Sequence, residues 1–197
     1  MKKTFETILL TGIAAVGKST LSRTIGKTSG FKSFEYGAEL FNQAHQEHPE
    51  ITYAQTRSHA ETYISDEHVR HTDEALQLFI QQYRNECHVV IDSHAISRER
   101  YGFRSEPFGP GGLQRASFSR IVCLYCEPAV IAERIKANAD GRQTLTIPEL
   151  ELYQQLQSSV AITYSTIAGI PLHFINSNAS PEDVVKMFLE IVGSKSH

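Results

Sequence analysis

The stretch Gly12-Ile-Ala-Ala-Val-Gly17-Lys18-Ser19 constrains this chain most, because a backbone follows that spacing only by curling tightly around a small object. Glycines at its two ends supply conformations that a Cβ forbids. The apolar run Ile8-Leu9-Leu10 precedes it, and a helical pattern opens with Leu21-Ser22-Arg23. Strand, loop and helix N-terminus together aim backbone N–H groups at one point, which suits a phosphate. Gly12, Ala14, Ala15, Val16, Gly17, Lys18, Ser19 and Thr20 would enclose it. Lys18 would reach the β- and γ-oxygens and Ser19 would ligate Mg2+, so ATP and Mg2+ are the expected cofactors.

Five short apolar or β-rich runs, at 7–11, 33–36, 88–92, 120–125 and 172–176, alternate with helical patterns. Most run almost without polar interruption, as strands covered on both faces do. The alternation predicts one three-layer α/β/α domain over residues 1–197, with a five-stranded parallel sheet. Helices are expected at 18–28, 37–46, 129–136, 148–168 and 181–192, and a long one at 54–85 broken once. Two insertions exceed this rhythm: 37–87, far longer than one crossover needs, and the short irregular 137–147. Both are candidate substrate-handling segments. The Gly- and Pro-rich stretch 101–112 is expected to lack regular structure, with aromatics able to stack on a base. The polar loop 176–180 would cover the adenine.

A formal net charge of −3 offers no excess of positive charge for a nucleic-acid backbone. No apolar run approaches the roughly 18 residues of a membrane span, and no signal segment is present, so a cytoplasmic protein is expected. Cys123-Leu-Tyr-Cys126 has a metal or redox spacing, but it lies in a strand-like run with no second pair, and buried cysteines are the favoured reading. His68 and His71 could share a helix face, but without a ligand constellation a solvated face is the favoured reading.

Asp92 ends the run Val89-Val90-Ile91, so its carboxylate emerges at the phosphate-loop edge, where a Mg2+ ligand is needed. Ser93 follows it, where water-activating ATPases of the AAA type carry a glutamate. Phosphoryl transfer also needs cations on the migrating charge. Arg57 in the long insertion, Arg134 after the fourth strand and Arg142 in the short insertion are placed for this, and Arg104 could add a phosphate contact.

These residues resemble the archaeal-type adenylate kinases and related P-loop nucleoside monophosphate kinases. Gly12-Ile-Ala-Ala-Val-Gly-Lys-Ser-Thr20 is similar to the family loop Gly-x-Pro-Gly-Val-Gly-Lys-Ser-Thr apart from two alanines. Ile91-Asp-Ser-His94 is similar to its Val-Asp-Thr-His strand end, and Ala161-Ile-Thr-Tyr164 to its Ala-Met-Thr-Tyr patch. The resemblance implies a P-loop NTPase fold, a monophosphate-binding helical insertion at 37–87 and a lid at 137–147. It matches Arg57 to an arginine of the monophosphate-binding region and Arg134 and Arg142 to arginines at and inside the lid, so Arg57 and Arg104 are the expected acceptor contacts and Lys18, Arg134 and Arg142 the expected catalytic cations. It also implies a homo-oligomer, since these enzymes are commonly trimeric. Ser158 stands where the family has a lid-side arginine, for which Lys136 or Arg104 would have to compensate. The leading expectation is ATP-dependent transfer to a small acceptor, most readily a nucleoside monophosphate. A P-loop ATPase and a non-catalytic nucleotide binder are the alternatives, and no Asn-Lys-x-Asp signature of a GTPase occurs.

Overall fold

A computed structural model describes residues 5–99, 101–105, 108 and 112–193. At its centre lies β1 (Thr7–Thr11), every residue of which is buried. It pairs in parallel with β3 (Val89–Asp92) on one side and β6 (Arg120–Tyr125) on the other. Parallel β2 (Lys32–Glu35) and β7 (Leu172–Asn176) complete a sheet of order β2-β3-β1-β6-β7.

The two-residue period of a strand explains why such dense apolar runs are needed. Ile8 and Leu10 enter one core with α1 (Lys18–Ser29), α7 (Pro128–Ala137) and α9 (Pro181–Gly193). Leu9 faces the opposite core, built with α5 (Asp66–Tyr83), α6 (Gly112–Ala116) and the later part of α8 (Ile147–Ala168). The three-layer α/β/α P-loop NTPase architecture is therefore present, with strands 120–125 and 172–176 at the expected bounds.

Two expectations are corrected. The segment 54–85 breaks twice, into α3 (Tyr53–Ser58), α4 (Ala60–Tyr63) and α5, following α2 (Tyr36–Glu47). The first break falls at His59 (φ −140°); at the second, Ser65 accepts a hydrogen bond from the His68 N–H and opens α5, which buries His68 at 3% exposure rather than on a solvated face. The stretch after β3 is not wholly irregular. β4 (Ile96–Glu99) and β5 (Gly102–Ser105) form an antiparallel hairpin, and α6 follows. Its prolines, Pro107 and Pro110, follow β5 in the sequence and lie outside the described residues.

At the end of the sheet remote from the loop, Arg120 is only 1% exposed. Its guanidinium donates through Nε and Nη2 to the Glu6 carboxylate and through Nη1 to the Ile191 carbonyl, tying β6 to the approach of β1 and the end of α9. Removing one member of such a pair strands the other charge. Arg120→Met is expected to lower stability by about 3 kcal/mol, read as a lower urea midpoint at unchanged m.

Candidate active site

The loop after β1 wraps under its neighbour. Gly12 has φ +139°, and a Cβ there would lie 2.6 Å from the Leu124 carbonyl oxygen, so backbone sits against backbone. Ala15 also takes a left-handed conformation, φ 63°. That position is glycine in the loops this chain resembles, and an alanine there stores roughly 1–2 kcal/mol of strain. Gly17, φ 102°, then turns the chain into α1.

Lys18 is buried and donates from Nζ to the carbonyls of Gly12 at 2.8 Å and Ile13 at 3.1 Å. Burial lowers its pKa, while Asp92 pulls in the other direction. Asp92, itself buried, accepts a hydrogen bond from the Ser19 hydroxyl at 2.9 Å. The register of β3 on β1 pairs Asp92 with Leu10, which sets the carboxylate beside the loop. A hydroxyl and a carboxylate so close, both hard oxygen donors, fit Mg2+.

From this loop a cleft of about 960 Å³ runs beneath the two insertions, at the upper end of the roughly 300–1,000 Å³ typical of small-molecule sites. Arg57, Arg104, Arg134 and Arg142 all line it, as do Lys18 and Asp92. Their partners differ. Arg134 donates to the carbonyls of Ala15 and Ser177, at 3.3 and 2.8 Å, bridging the loop to the segment after β7. Arg57 pairs with Asp140, stacks 4.1 Å above the Tyr53 ring and donates to the Tyr53 hydroxyl at 3.1 Å. Arg142 donates to the carbonyls of Asn138 and Ala139. Its pKa is lowered by desolvation and then by Arg57. Arg104 lies 3.4 Å from the buried Glu99 carboxylate, on β5.

Ser158 lies against the Cys123 thiol on the core side of α8. That thiol is pushed up to about 11, chiefly by burial. Cys123 and Cys126 are both buried, and no group of three metal-ligating side chains occurs among the described residues. Lys136 is exposed on α7 and does not line the cleft, so of the two proposed substitutes for a lid arginine only Arg104 reaches it. Ser177 and Ala179, from the polar loop after β7, line the donor end.

Four residues, three lining the cleft and one buried behind it, carry no role in the sequence reading. Gln157 is 1% exposed; its Oε1 accepts from the Ala95 and Ile96 N–H groups, and its Nε2 donates to Thr11 Oγ1. It fixes the turn after β3 to the end of β1. The signal was a polar residue within the buried stripe Leu150, Tyr153, Ala161, Tyr164. Asp140, on the lid, and Glu35, at the end of β2, both line the cleft. Asp140 pairs with Arg57 and Glu35 with Arg23, each on another element, so these pairings carry no local pattern.

His94 is the fourth. Its ring is exposed on the cleft wall, and partial desolvation among the surrounding cleft groups, followed by the charges of Lys18 and Arg57, holds its pKa below the usual 6.5 and toward about 4. A histidine whose folded pKa falls below its unfolded value stays neutral down to that lower pH, and the stability it confers fades as pH falls from about 6.5 toward 4. An NMR titration of the His94 ring is expected to give a midpoint far below 6.5, raised in Lys18→Met. A midpoint near 6.5 would contradict this placement.

The strand, glycine loop, buried lysine and Ser19–Asp92 pair define a P-loop nucleotide-binding protein. Residues 8–154 match a family model described as an AAA domain, and the chain belongs to that family. No curated protein matches it significantly. Among solved structures it is similar to a gluconokinase from Sinorhizobium meliloti 1021, at 14% identity and TM-score 0.53, covering 96% of this chain and 93% of that one. It is likewise similar to a deoxyadenosine kinase from M. mycoides bound to dCMP and dCDP, at 14% identity and TM-score 0.54, covering 96% and 100%. A sugar kinase from Janibacter sp. HTCC2649 gives 12% identity and TM-score 0.52, covering 97% and 99%. At these identities the likeness establishes the fold. No helix among the described residues is long and apolar enough to cross a membrane.

Proposed function

We propose that this protein transfers the γ-phosphoryl group of ATP to a small acceptor, with a nucleoside monophosphate the favoured one. The observation that carries the reading is the continuity of the cleft. It leads from Lys18 and the Ser19–Asp92 pair, past Arg57 and Arg142, into a pocket walled by Tyr36, Leu40, Tyr53 and Val69. An apolar, aromatic wall suits a base, and the arginines suit the phosphate beside it. Mg2+ held through Ser19 and Asp92 would neutralise charge on the β- and γ-phosphates. The chain's own part is alignment: loop N–H groups and Lys18 hold the donor, Arg142 and Arg57 face the junction, and the lid excludes water. Ser93, rather than a carboxylate, follows Asp92, which favours transfer over the hydrolysis of AAA-type ATPases. The proposal extends to a cytoplasmic homo-oligomer, as the resemblance to archaeal-type adenylate kinases implies.

A second reading rests on Glu35. It ends β2, is in register with Asp92, lines the cleft and lies 3.6 Å from Arg23. A carboxylate there can take the proton of an attacking hydroxyl, so a nucleoside or sugar acceptor is the alternative, in keeping with the printed names of the deoxyadenosine kinase and the sugar kinase.

A screen of nucleoside monophosphates, nucleosides and sugars for acceptor-dependent ADP formation tests both. One acceptor class is expected to stimulate strongly, and Lys18→Ala to abolish the stimulation. For a monophosphate acceptor Glu35→Gln is expected to change kcat by less than about threefold, whereas for a hydroxyl acceptor it should lower kcat about 100-fold or more. ADP formation indifferent to every acceptor would overturn the proposal.

A further inference from the structure

The lid meets the acceptor segment through a side chain of the wrong charge for a phosphate site. Asp140 Oδ2 pairs with Arg57 Nη1 and lies 4.0 Å from Arg142 Nη1, so one carboxylate oxygen sits between two arginines that reach the cleft from different insertions. Asp140 lines the cleft with them. The backbone holds it there: Asp140 has φ 42° and Gly141 φ 77°, two successive left-handed residues. The turn is pressed against α3, since a Cβ on Gly141 would lie 2.1 Å from the Ala54 carbonyl oxygen. A left-handed aspartate is tolerated where its location is imposed by neighbours.

We infer that Asp140 is an internal stand-in for the substrate's anionic group, and that a phosphate entering between Arg57 and Arg142 must displace it. The carboxylate neutralises two like-charged guanidiniums that would otherwise repel each other across the cleft. It thereby sets a threshold: a neutral ligand gives the arginines no replacement for the charge they lose, whereas a phosphate with two oxygens and more charge does. Asp140 is thus a specificity-determining residue for anionic groups at the junction of donor and acceptor. This rests on the proposed reading of Arg57 and Arg142 as cations facing substrate charge.

The alternative is that Asp140 merely clasps the lid to α3, and the two predict opposite signs. If the carboxylate competes with an anion, Asp140→Asn strengthens anion binding, because the arginines keep their charge and the Gly141 turn is untouched. If it clasps, Asp140→Asn weakens binding by loosening the lid. The experiment titrates inorganic phosphate into the protein already saturated with Mg·ADP, so that the loop is filled and the Arg57–Arg142 junction is the anion site under test. Calorimetry is expected to show Asp140→Asn binding phosphate about fivefold more tightly than the wild type, with the gain shrinking as salt rises. Adding Arg57→Gln to Asp140→Asn should remove the gain. Unchanged or weaker phosphate binding in Asp140→Asn would overturn the inference. Mg·ADP affinity, expected equal in all variants, verifies an intact fold and loop. Because no acceptor turnover is read, a failure here is separable from a failure of the kinase reading, which the acceptor screen judges.

Discussion

Several cations line one cleft, and much of the structure around it answers the electrostatic demand of keeping each of them partnered. Lys18 folds back on the carbonyls of its own loop. Arg134 bonds to Ala15 and Ser177 carbonyls, and Arg57 and Arg142 gather around Asp140. Each cation thereby stays partnered at low dielectric, where an unpaired charge is costly.

The rest of the fold supplies rigidity for that exchange. The loop's shape depends on β1 lying between β3 and β6, because only then does Gly12 pass beneath the Leu124 carbonyl while Ser19 meets Asp92. Gln157 locks the same corner from α8, whose capped start adjoins the lid. The two insertions meet where Asp140 and Gly141 lie against Arg57 and Ala54, at the wall of the cleft.

The sheet and the loop were legible because their signals are local. Apolar runs at 120–125 and 172–176, and the glycine spacing of 12–17, leave little choice of structure. The breaks in 54–85 were hidden because His59 and the Ser65 cap look like ordinary polar positions in a mixed pattern. The hairpin of β4 and β5 was hidden by the glycines and prolines that follow it. Among the site residues, Lys18, Ser19 and Asp92 were found by motif and strand-end logic. Asp140 was not, since its partner Arg57 lies 83 residues away. Gln157 is 146 residues from Thr11, and only its polarity on a buried stripe betrayed it.

That the chain directs a phosphoryl group to a bound acceptor and not to water is the central claim, and the destination of the γ-phosphate tests it most directly. Phosphorus NMR of the protein with Mg·ATP and an acceptor bound in the Tyr53 pocket should show the new resonance in a phosphorylated acceptor, with little inorganic phosphate formed. Inorganic phosphate as the sole product, at a rate unaltered by any acceptor, would contradict the account.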